Sequence, residues 1–226
     1  MTPVPDGALN FRQTLPGLYR SGNLSRLSGQ GRSGVLALGV ARILDLRTRA
    51  ERGQDPPPFL GHPVYLNLPL LPYRSRALNE ATAAATCNAD IGVALLEHGA
   101  NGMVTVLGAL LDAPEGPLLI HCHAGKDRTG LVAALCGELA GLSREQIGAD
   151  YAASGLALTQ FYADQQARRT PEEWTRLLPF VPCAPEAVLR PLAYLDQTWG
   201  SPAAYLDAYG FSLAEQRQLA QRLATA

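Results

Sequence analysis

Residues 118–130 read Leu118-Leu119-Ile120-His121-Cys122-His123-Ala124-Gly125-Lys126-Asp127-Arg128-Thr129-Gly130. The apolar run Leu118 to His121 is too short for a helix and ends at a glycine-containing loop, which predicts a buried strand. Thr129 to Leu139 then continues as a helix. Strand, loop and helix entry give the spacing Cys-x5-Arg, and that geometry suits an oxyanion. Backbone N–H groups of a loop curling into a helix N-terminus converge on one point, where the helix dipole adds to their attraction. The same field, with Arg128 beside it, favours thiolate over thiol, so Cys122 is the candidate nucleophile toward phosphorus. The planar fork of Arg128 can hold two phosphoryl oxygens, and the Thr129 hydroxyl can hydrogen-bond the thiolate.

Working outward, the strand–loop–helix unit predicts an α/β fold with a central, mainly parallel sheet flanked by helices. Ala41 to Leu46 and Val64 to Leu68 read as further strands, and Phe11 to Asn23 as a turn, one short strand and a loop around Pro16-Gly17. Ser33 opens an apolar helical stretch that Gly39 ends. Pro69, Pro72, Arg74 and Arg76 precede an alanine-rich helical region from Leu78 to about Leu111, which Gly92, Gly99 and Gly102 divide into pieces. Ser143 with Gln146 forms a capping box, and additional C-terminal helices follow, with Pro171, Pro185 and Pro202 near helix starts. With no repeat or linker, 226 residues are expected to form one domain, 1–226.

Net charge is −1 with 47% hydrophobic residues, which argues against a whole-surface field for nucleic acid or anionic lipid. No stretch of about 18 apolar residues suggests an integral membrane segment. Cys87, Cys122, Cys136 and Cys183 have the spacing of neither a disulfide framework nor a zinc module, so reduced thiols and a cytoplasmic location are expected, with no metal and no cofactor. Of 19 basic residues, Lys126 is the one lysine, and it lies in the loop. A compact ammonium is expected to matter there.

The loop resembles the His-Cys-x-x-Gly-x-x-Arg-Thr-Gly signature of the protein tyrosine phosphatase superfamily. Its Ala124-Gly125-Lys126-Asp127 form is similar to a bacterial branch acting on phosphotyrosine, phosphoserine or phosphothreonine, and phosphoinositides. Asn10-Phe11-Arg12, Leu18 to Leu24 and Leu38 to Thr48 resemble further segments of that branch, although Gln13 to Gly17 departs from its pattern. The resemblance implies a cysteine-dependent phosphomonoester hydrolase working through a cysteinyl-phosphate, with a phosphorylated protein or a phosphoinositide as substrate. His123, Ala124, Gly125, Lys126, Thr129 and Gly130 would bind substrate, with Lys126 on phosphate or an inositol substituent.

A leaving oxygen needs a proton. Val64 to Arg76 contains no Asp or Glu, so Asp127 is the first candidate acid and Asp90 the second. His121 reads as an orienting group and Arg47 as either salt-bridged or a substrate contact, while Asp150, Tyr151 and Ser154 read as support behind the loop. Two other classes remain open at this point: a phosphate or phosphopeptide binding module without turnover, and a rhodanese-like sulfur transferase.

Overall fold

Five short strands make one sheet in the order β1-β2-β5-β3-β4, where β1 is Arg12–Leu15, β2 Leu18–Ser21, β3 Arg42–Asp45, β4 Tyr65–Asn67 and β5 Leu118–His121. β1 runs antiparallel to β2 and the other neighbours are parallel. This is a computed structural model, and it describes residues 3–71 and 75–225. Pro72 and Arg74 of the expected connection lie outside the described residues.

The central strand is β5, and its sequence explains why. Leu118, Leu119 and Ile120 are all fully buried, with Leu118 and Ile120 in one apolar cluster and Leu119 in another. Side chains alternate across a strand, so a strand buried on both faces must be apolar at consecutive positions. Truncating Ile120 to Ala would cost about 2–5 kcal/mol in such a site. Register places Ser21, His121 and Asp45 side by side at the carboxyl ends of β2, β5 and β3. Cys122 therefore emerges at the sheet edge where open α/β folds bind ligands.

Helices cover both faces. Before β3 lies α1 (Gly29–Ala37), and Ser28 caps it by accepting from the Gly31 amide, so the helix begins four residues earlier than the apolar pattern alone predicts. Next is α2 (Arg49–Gln54), opened by a capping box between Thr48 and Glu51. The alanine-rich region forms α3 (Arg76–Ala83), α4 (Asn88–His98) and α5 (Ala100–Leu111). Gly99 breaks the last two, which are bent by 86°. Gly92 does not break α4; a Cβ there would come within 2.5 Å of Pro191, so the glycine permits close helix packing.

After the loop comes α6 (Asp127–Leu139), whose residues Thr129 to Gly137 are all buried. Burial alone pushes its Cys136 thiol up to about 12, which leaves it inert. The remainder is α7 (Arg144–Ala152), α8 (Ser154–Ala157), α9 (Thr159–Ala167), α10 (Pro171–Leu177) with a 3-10 turn at Leu178–Phe180, α11 (Glu186–Trp199), α12 (Pro202–Ala208) and α13 (Leu213–Leu223). The Ser143–Gln146 box caps α7 as its sequence predicts. No single helix among the described residues is long and apolar enough to cross a membrane.

Candidate active site

The loop after β5 is built by pulling its carbonyls outward. Leu46 N–H donates to His121 O at 2.8 Å and Asn23 N–H to His123 O at 2.8 Å. Asn10 Nδ2 donates to Ala124 O at 3.1 Å and Gly125 O at 3.0 Å. Arg20 Nη2 donates to Gly125 O at 2.8 Å and Lys126 O at 3.2 Å. With the carbonyls tied from behind, the amides are left to face inward. Those of His123 through Lys126 find no acceptor among the described residues. Converged N–H groups without acceptors are what an anion cradle requires.

Two glycines make the turn possible. Gly125 has φ +69, and a Cβ there would lie 2.3 Å from Ser21 O. Gly130 sits inside α6, where a Cβ would meet the Tyr151 ring at 2.8 Å. Its amide donates to Lys126 O at 2.6 Å, so Gly130 contributes packing and leaves substrate binding to the loop before it.

Arg128 and Cys122 share an open cleft of about 340 Å³ with Glu51, Gln54, His123, Ala124 and Asp127. Cys122 lies at its floor, 3% exposed. Arg128 Nη1 donates to Glu51 Oε2 at 2.8 Å and to Leu46 O at 3.4 Å, while Nη2 donates to Glu51 Oε1 at 2.5 Å. Five N–H donors minus these three leave Nε–H and one Nη2–H, the side-on edge of the guanidinium, for a phosphoryl group. Burial pushes the Glu51 carboxyl up, yet the bonds and charge of Arg128 outweigh it and hold it down at about 2. Burial works against the Arg128 cation too, and Glu51 and Cys122 raise its pKa above the ordinary value.

Behind the loop a second ionic network fixes the strand ends. Asp45 is fully buried, pairs with Arg47 at 2.8 Å and accepts from the Tyr65 hydroxyl at 2.7 Å. Arg47 also reaches Asn23 Oδ1 at 3.2 Å and Asp55 O at 2.9 Å, so it is a buried structural clamp and does not line the cleft. His121 has Nδ1 3.3 Å from Cys122 O and Nε2 3.7 Å from Asp45 Oδ2. Burial lowers its pKa, which fits a neutral ring orienting the loop.

A family model described as the tyrosine phosphatase family matches residues 9–225. The chain belongs to that family. The phosphatase is 30% identical over 265 aligned positions to the triple specificity protein phosphatase PtpB of Mycobacterium tuberculosis, with 92% of this chain and 94% of the relative covered. It is also 30% identical over 164 positions to a tyrosine-protein phosphatase of Nostoc commune, covering 67% of this chain and 56% of that one. Among solved structures, the core catalytic domain of the PP-IP phosphatase SIW14 from S. cerevisiae shares 17% identity and a TM-score of 0.42, over 74% of this chain and 94% of that one. The phosphatase is thus a cysteine-based phosphoric monoester hydrolase.

Its geometry places the expected residues unevenly. Asp127 lines the cleft, and the Tyr151 hydroxyl donates to its Oδ1 at 2.7 Å. Burial and the adjacent carboxylate both raise the Tyr151 pKa, so the phenol stays a donor. Asp90 is elsewhere: it caps α4, accepts from Thr86 and Cys87 and pairs with Arg190. The bonds from Thr86 lead in depressing its pKa, and it is a helix cap outside the cleft. His123 lines the cleft mouth, its ring 5.8 Å from that of Phe161. The Thr129 hydroxyl is buried with no hydrogen-bond partner among the described residues.

Lys126 departs most from expectation. Its side chain is 0% exposed and turned away from the cleft, with Nζ 2.9 Å from the Tyr162 hydroxyl and 2.5 Å from Phe180 O. In this structure the ammonium is held behind the loop by a phenol and backbone carbonyls, and its Nζ lies 3.9 Å from Oδ1 of the cleft-lining Asp127.

Several residues escaped the sequence reading. Glu51 was signalled by the Thr48-x-x-Glu51 capping pattern. The clamps formed by Asn10 and Arg20 stood within a noted stretch, but their acceptors are backbone atoms more than a hundred positions away. Asp150 holds this apparatus by pairing with Arg12 at 2.8 Å and with Arg20, and Ser154 accepts from Asn10 and Arg12.

Proposed function

We propose that the whole chain, 1–226, acts as one catalytic domain that hydrolyses phosphotyrosine in proteins through a phosphorylated Cys122, and that its open cleft also admits phosphoserine, phosphothreonine or a phosphoinositide headgroup. The observation that carries this reading is the outward anchoring of the loop carbonyls, which turns the loop amides toward a buried thiol beside the free edge of Arg128. The name of the Mycobacterium tuberculosis relative, a triple specificity phosphatase, supports the breadth of substrate.

In the proposed course, Cys122 Sγ attacks phosphorus while the amides and Arg128 hold the equatorial oxygens, whose charge grows in the transition state. The bond to the leaving oxygen breaks and Asp127 supplies its proton. Tyr151 holds Oδ1, which leaves Oδ2 for that transfer. Water then attacks the cysteinyl-phosphate, Asp127 takes its proton, and the S–P bond breaks to release phosphate and restore the thiolate. The chemistry needs a reduced thiol, which suits a cytoplasmic location.

Steady-state hydrolysis of p-nitrophenyl phosphate, a phosphotyrosyl peptide, a phosphoseryl peptide and a phosphatidylinositol phosphate tests the reading. The highest kcat/KM is expected on the phosphotyrosyl peptide, with Cys122→Ser inactive on all four. Turnover of the lipid alone would overturn the protein-substrate assignment.

A further inference from the structure

Asp127 lines two spaces, the catalytic cleft and a small internal cavity of about 10 Å³ enclosed by α4, α6, α7 and α11. That volume suits one water molecule and nothing larger. The walls are mostly apolar, Ile91, Leu95, Leu131 and Val188 among them, and the polar side chains on them are Asn88, Asp127 and Tyr151.

Asn88 opens α4 and is 5% exposed. Its Nδ2 donates to Phe180 O at 3.2 Å and to Pro182 O at 3.0 Å. Both partners are carbonyls, which only accept, so the amide nitrogen belongs on that side and Oδ1 on the other. Oδ1 has no hydrogen-bond partner among the described residues. A buried amide oxygen requires a donor, and in a space of this size beside other polar groups that donor is water. Tyr151 cannot serve, because its one hydroxyl proton goes to Asp127 Oδ1 at 2.7 Å. A cation in the same place would be repelled by Lys126 Nζ, which lies 3.9 Å from Asp127 Oδ1.

We propose that one ordered water fills this cavity, donating one O–H to Asn88 Oδ1 and the other to Asp127 Oδ1, and that Asn88 is thereby a positioning residue for the acid. The inference rests on the reading of Asp127 as proton donor and adds what aims its carboxyl. The single bond from Tyr151 fixes where Oδ1 sits, yet the carboxyl can still turn about it, since the terminal torsion of an aspartate is broad. A second donor on Oδ1 sets the plane as well and keeps Oδ2 toward the leaving oxygen. Asn88 is itself anchored, because Phe180 O accepts from both its Nδ2 and Lys126 Nζ. The water closes a ring that runs from Asp127 through Asn88 and Phe180 back to Lys126, the residue before Asp127.

The test compares wild type with Asp127→Asn, with Asn88→Leu, which removes the amide, and with Val188→Ile, which adds one methyl to the cavity wall and leaves the amide in place. Each is assayed for kcat/KM on p-nitrophenyl phosphate and on phenyl phosphate, whose poorer leaving group leans more on the acid. Asn88→Leu and Val188→Ile are each expected to slow phenyl phosphate about threefold to tenfold, the weight of one hydrogen bond, and p-nitrophenyl phosphate much less. Asn88→Leu also strands the Phe180 and Pro182 carbonyls, so its Tm is expected to fall; Val188→Ile keeps those bonds and carries the test if Asn88→Leu does not fold. A crystal structure of wild type is expected to show one water bonded to both Asn88 and Asp127, and that of Val188→Ile none. Equal slowing of the two esters in these variants would make both residues structural only and overturn the proposal. So would a wild-type water bonded to Asn88 alone, or a dry cavity. If Asp127→Asn itself slows both esters equally, the acid reading falls, and the proposal with it.

Discussion

Replacing Glu51 by Gln isolates what the Arg128 clamp does. The amide side chain keeps the shape, can still accept from Thr48 N–H at the α2 cap, and retains one acceptor for Arg128, but it loses the charge and the two-oxygen grip at 2.8 and 2.5 Å. Exchanging a bidentate ion pair for one bond from the guanidinium to a neutral amide oxygen costs about 1.5–3 kcal/mol. Because the pair fixes which edge of Arg128 faces phosphate, most of that cost is expected in kcat/KM, a loss of about tenfold to a hundredfold on p-nitrophenyl phosphate. Stability gives an independent reading. Arg128 lowers the Glu51 carboxyl from 4.5 to about 2. Its stabilisation is therefore fully present above about pH 4.5 and is lost as pH falls through about 2, roughly 1–2 kcal/mol after solvent screening. Thermal melts across pH 2–6 should show this slope in wild type and a weaker one in Glu51→Gln. Unchanged kcat/KM together with identical pH slopes would refute the clamp.

Lys126→Met should lower thermal stability by about 2–4 kcal/mol, by stranding the Tyr162 hydroxyl and Phe180 carbonyl, with KM for an aryl phosphate nearly unchanged; a raised KM at unchanged Tm would put the ammonium on substrate instead. Tyr151→Phe should slow alkyl phosphates about threefold to tenfold and p-nitrophenyl phosphate much less, since only a poor leaving group needs a well-placed Asp127; a leaving-group series measures this. Gly125→Ala should abolish turnover, because φ +69 and a Cβ 2.3 Å from Ser21 O force the loop open; circular dichroism and inorganic phosphate binding would separate loop damage from global unfolding.

The chemistry was legible in the sequence where one short segment carries it whole. β5, the loop and α6 are contiguous, and their apolar run, glycine and arginine each have a local physical meaning. β1 was not legible: Arg12–Leu15 is polar, four residues long and held as a hairpin by β2. What Lys126 does was hidden for a different reason. Its partners are a phenol 36 positions on and a backbone carbonyl 54 positions on, and a carbonyl leaves no mark in a sequence. Glu51 stood between these cases, readable as a helix cap yet not as the anchor of an arginine 77 positions away.

The most direct test of the central claim is to quench the enzyme in acid during turnover of a phosphotyrosyl peptide and map covalent phosphate by peptide mass spectrometry. One phosphoryl group is expected on the peptide containing Cys122, accumulating further in Asp127→Asn and absent in Cys122→Ser. Undiminished turnover by Cys122→Ser, with no phosphorylated Cys122 peptide in wild type, would contradict it.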